Sequence, residues 1–159
     1  MDLIRLDDRG SLFISPDIDD WQALEQLGIS AIIDLDGAVD IGVPLVPNHI
    51  IYLYFPFNDA ELPDVGKLHA VAQFAATLAN TGHKVLCHCS LGFNRSALVA
   101  GLVLKHMGMT GQEALELLRR QRPGALYNEA YAAYLLSLED PPTALQSPRN
   151  SISHNSDGT

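Results

Sequence analysis

The residues best placed to do chemistry are Cys89 and Arg95, which lie in the stretch Val85-Leu86-Cys87-His88-Cys89-Ser90-Leu91-Gly92-Phe93-Asn94-Arg95-Ser96. A cysteine acts as a nucleophile through its thiolate, and loop amides, a helix N-terminus and a nearby guanidinium all favour that form. Arg95 offers a planar fork that can grip two oxygens of a phosphoryl group. A thiolate beneath a bound phosphoryl group is set for in-line attack at phosphorus, which gives a phospho-cysteine intermediate. Ser96 follows Arg95 directly and can donate a hydrogen bond to the sulfur, helping it to leave in a second step.

A strand, a tight loop and a helix must position these side chains, and the pattern contains all three. Residues 84–89 read as a short buried strand, with Val85 and Leu86 as its apolar lead-in. Gly92 in the loop can take a positive φ at little cost. From Arg95 the spacing of Leu98, Val99, Leu102, Val103 and His106 turns helical. The amides of Ser90, Leu91, Gly92, Phe93, Asn94 and Arg95 are then expected to point inward beside a helix N-terminus, forming an anion cradle.

His88-Cys89-x5-Arg95-Ser96, with Gly92 at the third loop position, resembles the signature loop of the cysteine-dependent protein tyrosine and dual-specificity phosphatases. A bare Cys-x5-Arg is weak. The flanking His and Ser, the glycine, the strand before and the helix after make it specific. Phosphoryl transfer from an unactivated ester also needs an acid for the departing oxygen. Asp59, Glu61 and Asp64 all lie on a loop after a predicted strand, where α/β proteins gather their sites, and position alone does not choose among them. The resemblance does choose. Phe55-Pro56-Phe57-Asn58-Asp59 is similar to the acid loop of small dual-specificity phosphatases, including the phosphatases of regenerating liver, which implies Asp59 as general acid.

The resemblance spans most of residues 3–138 and implies a two-step hydrolysis with no metal and no cofactor. In it Cys89 attacks, Arg95 and the amides of residues 90–95 hold the phosphoryl oxygens, Asp59 serves as acid and then base, and Ser96 steadies the thiolate. The acid precedes the cysteine, unlike the order in low-molecular-weight phosphatases. No long phosphotyrosine-recognition segment of the large tyrosine phosphatases is present, which suggests a shallower pocket admitting phosphoserine, phosphothreonine and phosphotyrosine. Rival readings stay within reach of the same loop. Gly92-Phe93-Asn94-Arg95 is also similar to the loop of RNA 5′-triphosphatases, and phosphoinositide phosphatases share the scaffold, although they often carry lysines where Ser90, Leu91, Phe93 and Asn94 stand. A non-catalytic phospho-residue binding module would typically lack Cys89 or Arg95.

Composition narrows the partners. The 159 residues hold 10 basic and 19 acidic side chains, a net charge of −9, so nucleic acid and anionic membrane are poor partners. The expected partner is a phosphorylated protein or a small phosphomonoester. An apolar fraction of 47% suits a single domain with a sizeable core. No apolar run reaches the roughly 18–20 residues that span a bilayer, and Met1-Asp2-Leu3-Ile4-Arg5 does not read as a secretory leader. Cys87 and Cys89 are too close to form a disulfide framework, which suggests a reducing, cytoplasmic setting. Cys-His-Cys alternates along a strand and has no second ligand pair, so no zinc site is expected. Cys87 reads as a small buried strand residue. Nothing in the sequence sets the oligomeric state, and a monomer is the working expectation.

Taken in order, residues 2–15 read as a β-hairpin around Asp7-Asp8-Arg9-Gly10. Ser15 is expected to cap a helix with Pro16 at its first position and Ile18, Trp21, Leu24 and Leu27 as its stripe, stopped by Gly28. Residues 29–35 form an apolar run typical of a strand buried on both faces, in which Asp34 reads as structural. A loop over 37–48 leads to a strand over 49–54, with His49 at the surface, and a helix follows over about 63–81. Thr110-Gly111-Gln112-Glu113 fits a capping box, and a last helix covers about 128–138. The fold class is α/β, a central mostly parallel sheet of about four or five strands with helices on both faces. The resemblance implies one phosphatase domain over residues 1–139, and the polar 140–159 reads as a disordered tail.

Overall fold

The computed structural model describes residues 1–142. Its elements run β1 (Ile4–Arg5), β2 (Leu12–Ser15), α1 (Trp21–Leu27), β3 (Ile29–Asp34), β4 (Ile51–Tyr54), α2 (Val65–Asn80), β5 (Lys84–His88), α3 (Arg95–His106), α4 (Gly111–Gln121) and α5 (Glu129–Ser137). They form a five-stranded sheet in the order β1-β2-β5-β3-β4. β1 pairs antiparallel with β2, and the other neighbours are parallel. The expected α/β class, strand number and mostly parallel pairing are all present.

Strand alternation divides the core between the two faces of the sheet. Leu12, Ile14, Ala31, Ile33, Val85 and Cys87 point to one face, in a cluster with buried residues of α2 to α5. Phe13, Ile32 and Leu86 point to the other, where Leu24 of α1 and the half-buried Trp21 cover them. α3 is buried along most of its length, from Ser96 to Leu104. It is the central helix, touching the sheet, α2, α4 and α5.

Several element boundaries depart from the sequence reading. Ser15 caps no helix. It ends β2, paired with His88 of β5, and its hydroxyl donates to Pro16 O. The helix begins five residues later, where the Asp20 carboxylate accepts from Ala23 N. Ile18 therefore precedes α1, and Leu27 is exposed. Gly28 does stop the helix, in the left-handed conformation that glycine adopts most readily. β4 starts at Ile51, after His49. The Thr110–Glu113 capping box forms with both of its reciprocal bonds. At the shift in composition, the Asp140 carboxylate accepts from Lys105 Nζ and Gly111 N. The rest of the expected tail, 143–159, lies outside the described residues.

This topology gathers the carboxyl ends of the four parallel strands, where open α/β sheets place their sites. Pro16-Asp17 follows β2, Asp36 follows β3, Phe57 and Asp59 follow β4, and Cys89 follows β5.

Candidate active site

Cys89 leaves the end of β5 and is 3% exposed. Its Sγ lies 3.4 Å from Ser96 Oγ, within hydrogen-bonding reach, and Ser96 is fully buried at the start of α3. The chain between them turns through Gly92 at φ +68°. A Cβ there would also lie 2.7 Å from Ser15 C and Pro16 N, so both conformation and space require glycine. Among the described residues, the main-chain N–H groups of Ser90 to Arg95 meet no protein acceptor. No side chain caps α3 either. The amides of the loop and the first helical turn are therefore free to bind an anion.

Arg95 reaches back across this loop. Nη1 donates to Leu35 O at 3.0 Å and Phe57 O at 3.2 Å, fixing the guanidinium between the ends of β3 and β4. Nη2 donates to Ser90 Oγ at 2.6 Å and lies 3.1 Å from Asp36 Oδ1. Nε is buried without a partner among the described residues, leaving one donor unclaimed.

The three candidate acids separate here. Asp64 is the N-cap of α2, its carboxylate accepting from Lys67 N at 2.8 Å. Glu61 is exposed, and its main-chain oxygen accepts from Tyr131 Oη at 3.2 Å. Asp59 is drawn to the signature loop, its Oδ2 accepting from Asn94 Nδ2 at 2.8 Å. Of the remaining loop residues, Leu91 is exposed and Phe93 half-buried. The Arg122 guanidinium lies 4.0 Å from the centre of the Phe93 ring, and its Nη2 donates to Leu91 O at 3.1 Å.

Some contributors escaped the sequence reading. Tyr131 Oη donates to Asn58 O at 2.9 Å, and Asn128 Nδ2 donates to Ala60 O at 3.2 Å, so α5 holds the acid loop by its backbone. Burial, then the negative charge of Asp59, pushes the Tyr131 phenol up to about 12, so it remains a donor at neutral pH. Behind Cys89, the fully buried His88 has Nε2 at 2.8 Å from Asp40 Oδ2 and 3.4 Å from Asp34 Oδ1. Tyr52 Oη donates to the buried Asp34 carboxylate, in keeping with a structural Asp34. Burial, then the neighbouring Cys89, pushes the Cys87 thiol up to about 12, so this cysteine stays protonated and unreactive.

Comparison with known proteins places the chain in a family. Residues 12–141 match the family described as "Dual specificity phosphatase, catalytic domain". The rat "Cyclin-dependent kinase inhibitor 3" is 32% identical over 107 residues, which cover 65% of this chain and 50% of that protein. The bovine "Protein tyrosine phosphatase type IVA 3" is 27% identical over 117 residues, covering 70% of this chain and 65% of its own length. The chain thus spans about half the length of the first of these relatives and under two thirds of the second. Among solved structures, Tk-PTP in its active form superposes with a TM-score of 0.65 at 25% identity, over 84% of this chain and 95% of that one. Human DUSP28 shares the fold, with a TM-score of 0.71 at 22% identity over 84% and 89% of the two chains. The family match and the site it encloses lead to one conclusion: the chain belongs to the dual specificity phosphatase catalytic domain family.

Proposed function

We propose that this chain hydrolyses phosphomonoesters on tyrosine, serine and threonine side chains of proteins through a phospho-cysteine intermediate. The phosphoryl group enters the loop 90–95, where free amides and the Arg95 guanidinium take its oxygens. Sγ of Cys89 forms a bond to phosphorus as the bond to the ester oxygen breaks, and Asp59 gives its proton to that oxygen. Water then attacks phosphorus and the P–S bond breaks. Asp59, now a carboxylate, takes the proton of the water, and Ser96 donates to the released thiolate. Charge stabilisation by prepositioned donors supplies most of the rate.

What supports this reading is one convergence: Cys89 lies beside Ser96 within a loop of unclaimed amides, and Asp59 is bonded to that same loop. The net charge of −9 favours a protein substrate over nucleic acid or an anionic lipid surface. No described helix is long and apolar enough to cross a membrane. A nucleophilic thiol is best kept in a reducing compartment such as the cytoplasm.

The test is release of inorganic phosphate from 4-nitrophenyl phosphate and from peptides bearing phosphotyrosine, phosphoserine or phosphothreonine. Hydrolysis of all three kinds of phosphopeptide is expected, lost in Cys89→Ser and after thiol alkylation, and indifferent to chelators. Turnover that survives Cys89→Ser would overturn the mechanism.

A further inference from the structure

Asparagine is among the side chains most favoured at a helix N-cap, where its oxygen takes up a first-turn N–H. Asn94 occupies that position on α3 and makes no such bond. Its side chain is not in solvent either, since the residue is 2% exposed. The amide is turned across the site. Nδ2 donates to Asp59 Oδ2 at 2.8 Å, and Oδ1 accepts from Asn128 N at 3.0 Å. Asn128 closes the ring, with Nδ2 donating to Asp59 Oδ1 at 3.2 Å. Its own Oδ1 caps α5 by accepting from Ala130 N at 3.1 Å.

Each oxygen of an exposed carboxyl group thus receives one amide N–H, from two segments that already pack against the site. A carboxylate oxygen has two lone-pair positions, so one acceptor position on each oxygen stays open. The pair of bonds fixes the torsions of Asp59 while leaving a place for the proton that it gives to the ester oxygen or takes from water. Neutral amides suit this task. A lysine or arginine in their place would hold the group firmly but would lock it as the carboxylate.

We propose that Asn94 and Asn128 are positioning residues that hold Asp59 in register with the signature loop, coupling the acid to the nucleophile. This rests on the reading of Asp59 as the general acid. Without the clamp, Asp59 would remain present but out of line, and misplacement of a reacting group by about 1 Å can cost on the order of 10²-fold in rate.

The experiment compares kcat on phenyl phosphate, whose leaving group needs a proton, with kcat on 4-nitrophenyl phosphate, whose leaving group needs one far less. Asn94→Asp keeps the size and the acceptor for Asn128 N but replaces the donor with a second carboxylate. Asn128→Ser keeps an oxygen to cap α5 but falls short of Asp59. Both variants, checked for an unchanged circular dichroism spectrum, are expected to lose roughly 10–100-fold in kcat on phenyl phosphate and several-fold less on 4-nitrophenyl phosphate. For Asn128→Ser, which adds no charge to the anion cradle, KM should change little on either substrate. In an Asp59→Asn background, adding Asn128→Ser should cost less than about 2-fold more. Equal losses on both substrates, or full additivity with Asp59→Asn, would overturn the clamp. A larger loss on phenyl phosphate than on 4-nitrophenyl phosphate in Asp59→Asn itself is the expected control. If Asp59→Asn affected both substrates equally, the acid assignment and the clamp would fall together.

Discussion

Arg95 Nη2 lies 3.1 Å from Asp36 Oδ1, so the guanidinium assigned to the phosphoryl group already carries a carboxylate partner. Ser90 Oγ shares the same nitrogen. Nη1 is committed to two main-chain oxygens, and only Nε is without a partner among the described residues. Asp36 thus competes with the phosphoryl group for one arm of the fork. Asp17 also feels this charge: burial first, then Asp36, raises its pKa.

Replacement of Asp36 by asparagine should therefore tighten substrate binding. A partly exposed ion pair contributes about 0.2–1 kcal/mol, so KM for an aryl phosphate is expected to fall by roughly 2–5-fold in Asp36→Asn, with product phosphate inhibiting more strongly. Steady-state kinetics with added phosphate measure both. A rise in KM would mean that Asp36 chiefly orients Arg95 instead of competing for it.

Asp59 carries the second expectation. Its replacement by alanine is expected to slow turnover of a phosphotyrosyl peptide by roughly 10²–10⁴-fold, the usual worth of a positioned acid. Full activity of Asp59→Ala on that peptide at mildly acidic pH would remove Asp59 from the reaction.

Gly92 sits where the loop passes the end of β2. Gly92→Ala must hold a side chain at φ +68° and drive its Cβ to 2.7 Å from backbone atoms of Ser15 and Pro16. A loss of roughly 1–3 kcal/mol in chemical denaturation is expected, together with loss of activity even where the fold survives. An active, equally stable Gly92→Ala would show that the loop has room to relax.

The signature loop and the capping box were legible because their determinants lie close together in the chain. Cys89, Gly92, Arg95 and Ser96 need only a strand before and a helix after. Thr110 and Glu113 bond to each other's backbone. Ser15-Pro16-Asp17 misled for the opposite reason. Its local chemistry is that of a helix start, but Ser15 is claimed by a parallel partner 73 residues away, His88. The same distance hid the roles of Asn128 and Tyr131. Both read as parts of a helix, and their contacts with the acid loop span 68 to 73 positions. Among the acids, spacing left Asp59, Glu61 and Asp64 level. Only the folded chain turns Asp64 to capping α2 and Asp59 to Asn94.

Acid stability offers a test of the hairpin that abuts the site. In Asp7, burial opposes the charge, but the Ser11 hydroxyl and the Leu12 and Ser11 amides outweigh it and hold the carboxyl below its ordinary value of 3.8. A pKa lowered by folding stabilises the native state above the unfolded value, and that contribution fades as pH falls through the folded one. Asp7→Ala should thus lower Tm near neutrality, and the gap to the wild type should narrow as pH drops below 3.8. Thermal melts across that range check this. A gap that stays constant with pH would show that the charge of Asp7 contributes nothing.

The central claim concerns the sulfur of Cys89, and acid-quenched turnover of 4-nitrophenyl phosphate tests it most directly. Peptide mapping by mass spectrometry is expected to find a phosphoryl adduct on Cys89, made more abundant by Asp59→Asn, which slows the attack of water. No adduct in that variant during active turnover, or an adduct on any other residue, would contradict the account.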